Sequence, residues 1–224
     1  MVVVDGFATT SLPWTAAAIA GRAITGPNAD YGTALVALEG ALRNLSPTGN
    51  IKQAILDCVA KMHRGRAAAT INQLVNLADS RSDSPAESLM RLVLFELGFI
   101  DHKQQVIIGD DHGNFIARVD FMLIAYNIVI EVDGEGKYNG TFGDPFEQLN
   151  RERRRHNAIT NLGYQVIRIS WKQLQSGEAK QLIMNAVNAP NSTSRTIRGT
   201  RRLAEKIRTM SEYGKEEIRW TNMP

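Results

Sequence analysis

The spacing of apolar residues changes from helical to strand-like at Gly98, and that change limits the fold more than any other feature. Before it, apolar residues recur at three-and-four spacing in "PWTAAAIAGRAI", "YGTALVALEGALRNL", "NIKQAILDCVAKMHR" and "AAATINQLVNLAD", with Gly, Pro and Asn between them. That period predicts helices through residues 1–80. "DSRSDSP" (79–85) is a polar connector, and one more helix runs from Pro85 to about Leu97, where Gly98 ends it. Beyond it, "KQQVIIGD", "NFIARVDFML" and "NIVIEVD" are runs of strand length, with turns at "DDHGN" (110–114) and "AYN" (125–127). A Gly-rich loop, "GEGKYNGTFGD", leads to a charged helix from about Phe146 to Leu162, and a fourth strand, "YQVIRISW", follows Gly163. Helix, three strands, helix, strand, behind a set of helices, predicts an α/β protein built around a small mixed sheet. The expected division is a helical region 1–78, an α/β domain 79–191 and a polar, basic C-terminal arm 192–224. The arm is either an appended helix or a loosely ordered segment.

Composition narrows the class. With 224 residues, 43% hydrophobic and 22% charged, the chain can bury a substantial core. Its single cysteine, Cys58, sits in an apolar helical run and excludes a disulfide framework or a zinc set within one chain. The leading "MVVV" is too short for a signal peptide, and no run approaches the ~20 apolar residues of a membrane span. A cytoplasmic protein with no membrane partner is the expectation. The net charge of +3 is small, but arginines crowd 151–155 and 195–208. Two local basic surfaces of this kind point to a polyanion partner.

"ARVDFMLIAYNIVIEVDGEGKY" (117–138) then sets a puzzle, because it places Asp120, Glu131 and Asp133 inside strands. Residues two apart on a strand share a face, which pairs Glu131 with Asp133. A hairpin turning at Ala125–Tyr126 sets Asp120 opposite Glu131. Two carboxylates about 4 Å apart repel by about 4 kcal/mol at an effective dielectric of about 20. A hard divalent cation reverses the sign of that energy. The other reading is that Asp120 and Asp133 end their strands and Glu131 pairs with an arginine. Glu87, in "SPAE", is either the acid of a helix capping box or a further ligand. Lys137, beside the acids, is placed to steady charge on a phosphate. Arg151, Arg154 and Arg155 form either a solvated helix face or a phosphate-holding one.

These blocks together resemble the PD-(D/E)XK nuclease superfamily. More narrowly, they resemble the very-short-patch-repair-endonuclease-like domain at the C-terminus of AbiEi-type antitoxin-related actinobacterial proteins. "SPAESLMRLVLFELGF", "ARVDF", "IEVDGEGKY" and "RERRRHNAITNLGYQVIRISW" carry the likeness, in that order, over about 79–175. It implies a nuclease-like core that binds Mg²⁺ or Mn²⁺ and hydrolyses DNA phosphodiesters, leaving 5′-phosphate ends. Asp120 and Glu131 become metal ligands, with Asp133 and Glu87 as further ones, and Lys137 or Arg155 as the stabiliser of developing charge. The chain departs from the superfamily in carrying Asp133 where lysine is usual, two residues after the glutamate. The alternative is a catalytically inactive, nuclease-fold DNA-binding or antitoxin-type regulatory protein. In either case Arg198, Arg201 and Arg202 of the arm are read as phosphate contacts, or the arm docks on a protein partner.

Overall fold

The computed structural model describes residues 2–4, 6–44, 50–134, 145–190, 195–210 and 216–220. The chain divides into two compact units, Met1–Val93 and Leu94–Pro224. The division falls inside the helix that begins at Pro85.

In the first unit, β1 (Val2–Val4) and β2 (Phe7–Thr9) form an antiparallel ribbon that pairs Val4 with Phe7. No strand is expected there from helical spacing, yet the signal is present in "VVVDGFAT". An Asp-Gly step between two short apolar runs favours a two-residue hairpin turn, and Gly6 takes φ +84°. Four helices follow: α1 (Leu12–Thr25), α2 (Tyr31–Asn44), α3 (Ile51–Met62) and α4 (Gly65–Leu77). Their starts follow from sequence. Pro13 sits in the first turn of α1, the Asn50 side chain accepts from Gln53 N–H at 3.1 Å, and Asp30 accepts from Thr33 N–H at 2.8 Å. The hydrogen bonds from Thr33 hold the Asp30 carboxyl below the usual carboxylate range. Small residues of α1 (Ala16, Ala17, Ala20) pack with Leu35, Leu38, Ile55, Val59, Ile71 and Val75 in one core, and Gly21 is buried as well. A Cβ on Gly21 would meet the His63 ring, which hydrogen-bonds the Ala17 carbonyl at 3.2 Å. α5 (Pro85–Glu96) then crosses from the first unit into the second.

The second unit is a five-stranded mixed sheet with strands β3 (Lys103–Gly109), β4 (Phe115–Leu123), β5 (Ile128–Asp133), β6 (Gln165–Ser170) and β7 (Thr200–Leu203). Its order is β6-β5-β4-β3-β7. β3, β4 and β5 run antiparallel in turn, and β6 lies parallel to β5. The crossover that a parallel pair requires is made by α6 (Pro145–Asn161). β5 has neighbours on both sides, and its Ile128, Val129 and Ile130 are fully buried. That explains its continuous apolar run, since a strand buried on both faces does not alternate. α6 presents Ile159, with Leu162 just past its end, to a core of Val106, Ile108, Val119, Val129 and Tyr164. It closes at Gly163, whose φ of +103° favours glycine, and a Cβ there would meet the Thr196 carbonyl oxygen at 2.4 Å. α7 (Trp171–Ser176) and α8 (Glu178–Val187) follow β6. The chain is thus mixed α/β, as the spacing predicts.

The C-terminal arm departs from both expectations for it. Residues 200–203 are neither helix nor loose. They form β7, the edge strand on β3, with Ile107 opposite Arg202 and Ile108 opposite Arg201. β8 (Lys206–Met210) and β9 (Glu216–Trp220) make a further antiparallel hairpin. "TRRL" has no apolar alternation, so its extended form comes from the ladder offered by β3.

Candidate functional site

The hairpin that carries the acids turns through a short 3₁₀ stretch, Ile124–Tyr126, and Asn127, in the left-handed conformation that asparagine tolerates. The β4–β5 ladder pairs Leu123 with Ile128, Met122 with Val129 and Phe121 with Ile130, and it stops there. Asp120 therefore does not simply face Glu131 across a continuing ladder. Its Oδ2 accepts from the backbone N–H of Val132 at 2.8 Å, taking the place of a strand partner. On the other side of β4, Gln105 adopts φ +55° within β3, and the ladder partners run from Gln104–Phe121 to Val106–Val119 around it. Gln104 and Gln105 are both buried in consequence. A left-handed, non-glycine residue inside a strand costs on the order of 1–3 kcal/mol. The irregularity lies beside Asp120.

Glu131 is 6% exposed and is held by two guanidiniums. Arg155, from α6, binds it through both oxygens, with Nη1–Oε1 at 2.7 Å and Nη2–Oε2 at 3.1 Å. Arg168 lies directly across the parallel pair from Glu131 and donates from Nε to Oε2 at 3.1 Å. Arg168 also donates from Nη1 to Glu152 Oε2 at 2.8 Å, and Glu152 Oε1 lies 3.9 Å from Arg155 Nη2. The four groups close a ring of alternating charge. Burial by itself would lower the Arg168 pKa, but the hydrogen bond to Glu152 and the charges of Glu131, Glu152 and Asp133 raise it overall.

A divalent cation is what the family resemblance implies, and the acids fit it unequally. Glu131 does not fit, because each of its oxygens already faces a guanidinium and metal ligation would have to break that clamp. Asp120 and Asp133 fit by type. Both are part-buried carboxylates, and Asp120 is bonded to Val132, the residue next to Asp133. Two carboxylates with waters or phosphate oxygens are what Mg²⁺ commonly takes. No group of three His, Cys, Asp or Glu side chains suited to a metal occurs among the described residues.

The remaining candidates separate. Glu87, in the first unit, makes a capping-box-like set of bonds at the start of α5, reaching the N–H one residue before the cap. Its backbone N–H donates to Ser84 Oγ at 3.2 Å, while its oxygens accept from Ser84 Oγ at 3.1 Å and Asp83 N–H at 3.0 Å. Lys137 lies outside the described residues. Arg151 and Arg154 are exposed on α6, whereas Arg155 is turned inward to Glu131. Arg198 donates to the Asn161 carbonyl at 2.9 Å, tying down the C-terminus of α6. Arg201 lies against the Tyr164 hydroxyl, whose pKa burial pushes up and Arg201 pulls partly back. Arg202 is half-buried on β7. Sequence reasoning missed the parts that Arg168 and Glu152 play. An arginine in the middle of "QVIRIS" was the available signal, but only the β5–β6 register sets it beside Glu131.

No family model matches the chain, and no solved structure matches it. It is similar to Uncharacterized protein MT2308 and Uncharacterized protein Rv2248, from two strains of Mycobacterium tuberculosis. Each is 29% identical over 167 residues, which cover 74% of this chain and 56% of the relative. The match therefore spans about half the length of those relatives. Among the described residues, no helix is long and apolar enough to cross a membrane.

Proposed function

We propose that the second unit acts on DNA as a metal-dependent, PD-(D/E)XK nuclease-like domain that hydrolyses phosphodiester bonds. The observation that carries this is the Asp120–Val132 hydrogen bond, which ties one part-buried acid to the strand end bearing a second, Asp133. The chain order of α5, β3, β4, β5, α6 and β6, with β6 parallel to β5, supports the nuclease-like reading. Asp120 and Asp133 would hold Mg²⁺ or Mn²⁺, and the chemistry such an ion supplies is water activation and polarisation of the phosphodiester. Arg155 and Arg168 offer planar, permanently charged donors to phosphate oxygens. Arg151 and Arg154 add positive potential on the exposed side of α6. Lys137 belongs to the proposal by its place in the sequence, as a donor to the charge that develops on the phosphate.

The direct test is cleavage of supercoiled plasmid and of single-stranded DNA with Mg²⁺ or Mn²⁺, wild type against Asp120→Ala. Metal-dependent cleavage by wild type, lost in Asp120→Ala, is expected. Binding without cleavage of either substrate would overturn the catalytic reading. A second reading, a DNA-binding or antitoxin-type regulatory protein without turnover, is favoured by one observation. The motif's central acid, Glu131, is committed to Arg155 and Arg168.

A further inference from the structure

We propose that Arg155 and Arg168 form a subsite for a backbone phosphodiester of DNA, with Glu131 holding both guanidiniums from the buried side and Glu152 standing where the phosphate binds. This rests on the DNA reading above but not on cleavage. The two acids of the ring differ in the way such a site requires. The Glu131 side chain is 8% exposed and bonds both arginines within 3.1 Å, so it fixes them. The Glu152 side chain is 47% exposed and touches the same two arginines from the solvent side, at 2.8 and 3.9 Å. The arginine side chains between them are about one-third exposed. Each carries five N–H donors, of which the described contacts use two.

An exposed carboxylate on arginine contributes little net binding, because water competes for both partners. A phosphodiester presents two anionic oxygens with the same acceptor geometry and brings the released counterions of DNA as a further driving force. Replacing Glu152 by a phosphate keeps the ring's alternation of charge and leaves the buried Glu131 pairs intact. Arg151, Arg153 and Arg154, exposed around Glu152 on α6, supply flanking positive charge.

The test is binding of a fluorescein-labelled duplex, read by anisotropy, to the full chain in EDTA, so that no metal or cleavage enters. Glu152→Gln is expected to bind about two- to fivefold tighter. Glu178→Gln, the same charge change on exposed α8, should gain clearly less. Arg168→Gln should bind more weakly, with a log K against log salt slope flatter by about 0.9. In the Arg168→Gln background, Glu152→Gln should lose most of its gain, the coupling that a shared site requires. Equal gains from Glu152→Gln and Glu178→Gln, or the same Glu152→Gln gain with and without Arg168, would overturn the subsite. No metal-dependent cleavage by wild type, with these binding effects intact, would overturn the catalytic reading and leave the subsite standing.

Discussion

Glu39 and Glu131 are both buried glutamates paired with arginine, and they are held in opposite ways. In the first unit, Glu39 is fully buried and meets Arg91 Nε at 2.7 Å, with the Arg91 side chain only 6% exposed. Its Oε1 also accepts from Asp79 N–H at 2.9 Å. That pair is closed on the interior and fastens the 79–83 connector to α2, helped by Arg43 donating to the Ser82 carbonyl at 2.8 Å. In the second unit, the arginines of Glu131 reach solvent and meet a second, exposed acid. A sealed pair can only hold the fold. A pair with a wet side can also exchange partners with an anion, and the proposed phosphate subsite rests on that difference rather than on burial of the glutamate itself.

Stability measurements on single variants test that contrast. Glu39→Gln breaks the Glu39–Arg91 pair in a sealed interior, where losing one partner of a buried pair costs about 3–5 kcal/mol. Urea midpoints should show the full loss, and Glu39→Leu with Arg91→Met should recover much of it. Glu131→Gln should cost less, about 1–3 kcal/mol, because Arg155 and Arg168 keep water and Glu152. Equal losses at the two positions would break the distinction. The smallest effect belongs to Glu87, the third buried glutamate. Gln can still accept from Asp83 N–H and donate to Ser84 Oγ, so Glu87→Gln should cost only about 0.5–1 kcal/mol. A loss as large as that of Glu39→Gln would show that its charge, not its cap, matters.

Much of the fold was legible because it is written in local period and punctuation. The helices before Gly98, the turn at Asp110, the hairpin at 124–127 and the stop at Gly163 each rest on residues close in sequence. Apart from the β1–β2 hairpin, whose Asp-Gly signal is local, what escaped was set by distant partners. β7 is a strand because β3 offers it an edge, and no pattern in "TRRL" announces that. The acids of "ARVDF" and "IEVDG" were visible as a cluster, but not their division of labour. Assigning Glu131 to arginine needed the register that brings Arg168 across from it and the turn of α6 that brings Arg155 over it. The left-handed residue at Gln105, beside Asp120, left no sign in "KQQVIIGD", which reads as one smooth strand.

The division of labour among the three hairpin acids is tested most directly by Mn²⁺-induced thermal stabilisation of wild type, Asp120→Asn and Glu131→Gln. An ion bound only by the folded chain raises the melting temperature with concentration. Wild type and Glu131→Gln should show the same Mn²⁺-dependent rise, each measured from its own metal-free baseline, while Asp120→Asn should lose most of it. A rise that disappears in Glu131→Gln and survives in Asp120→Asn would make Glu131 the metal ligand and contradict its assignment to the arginines.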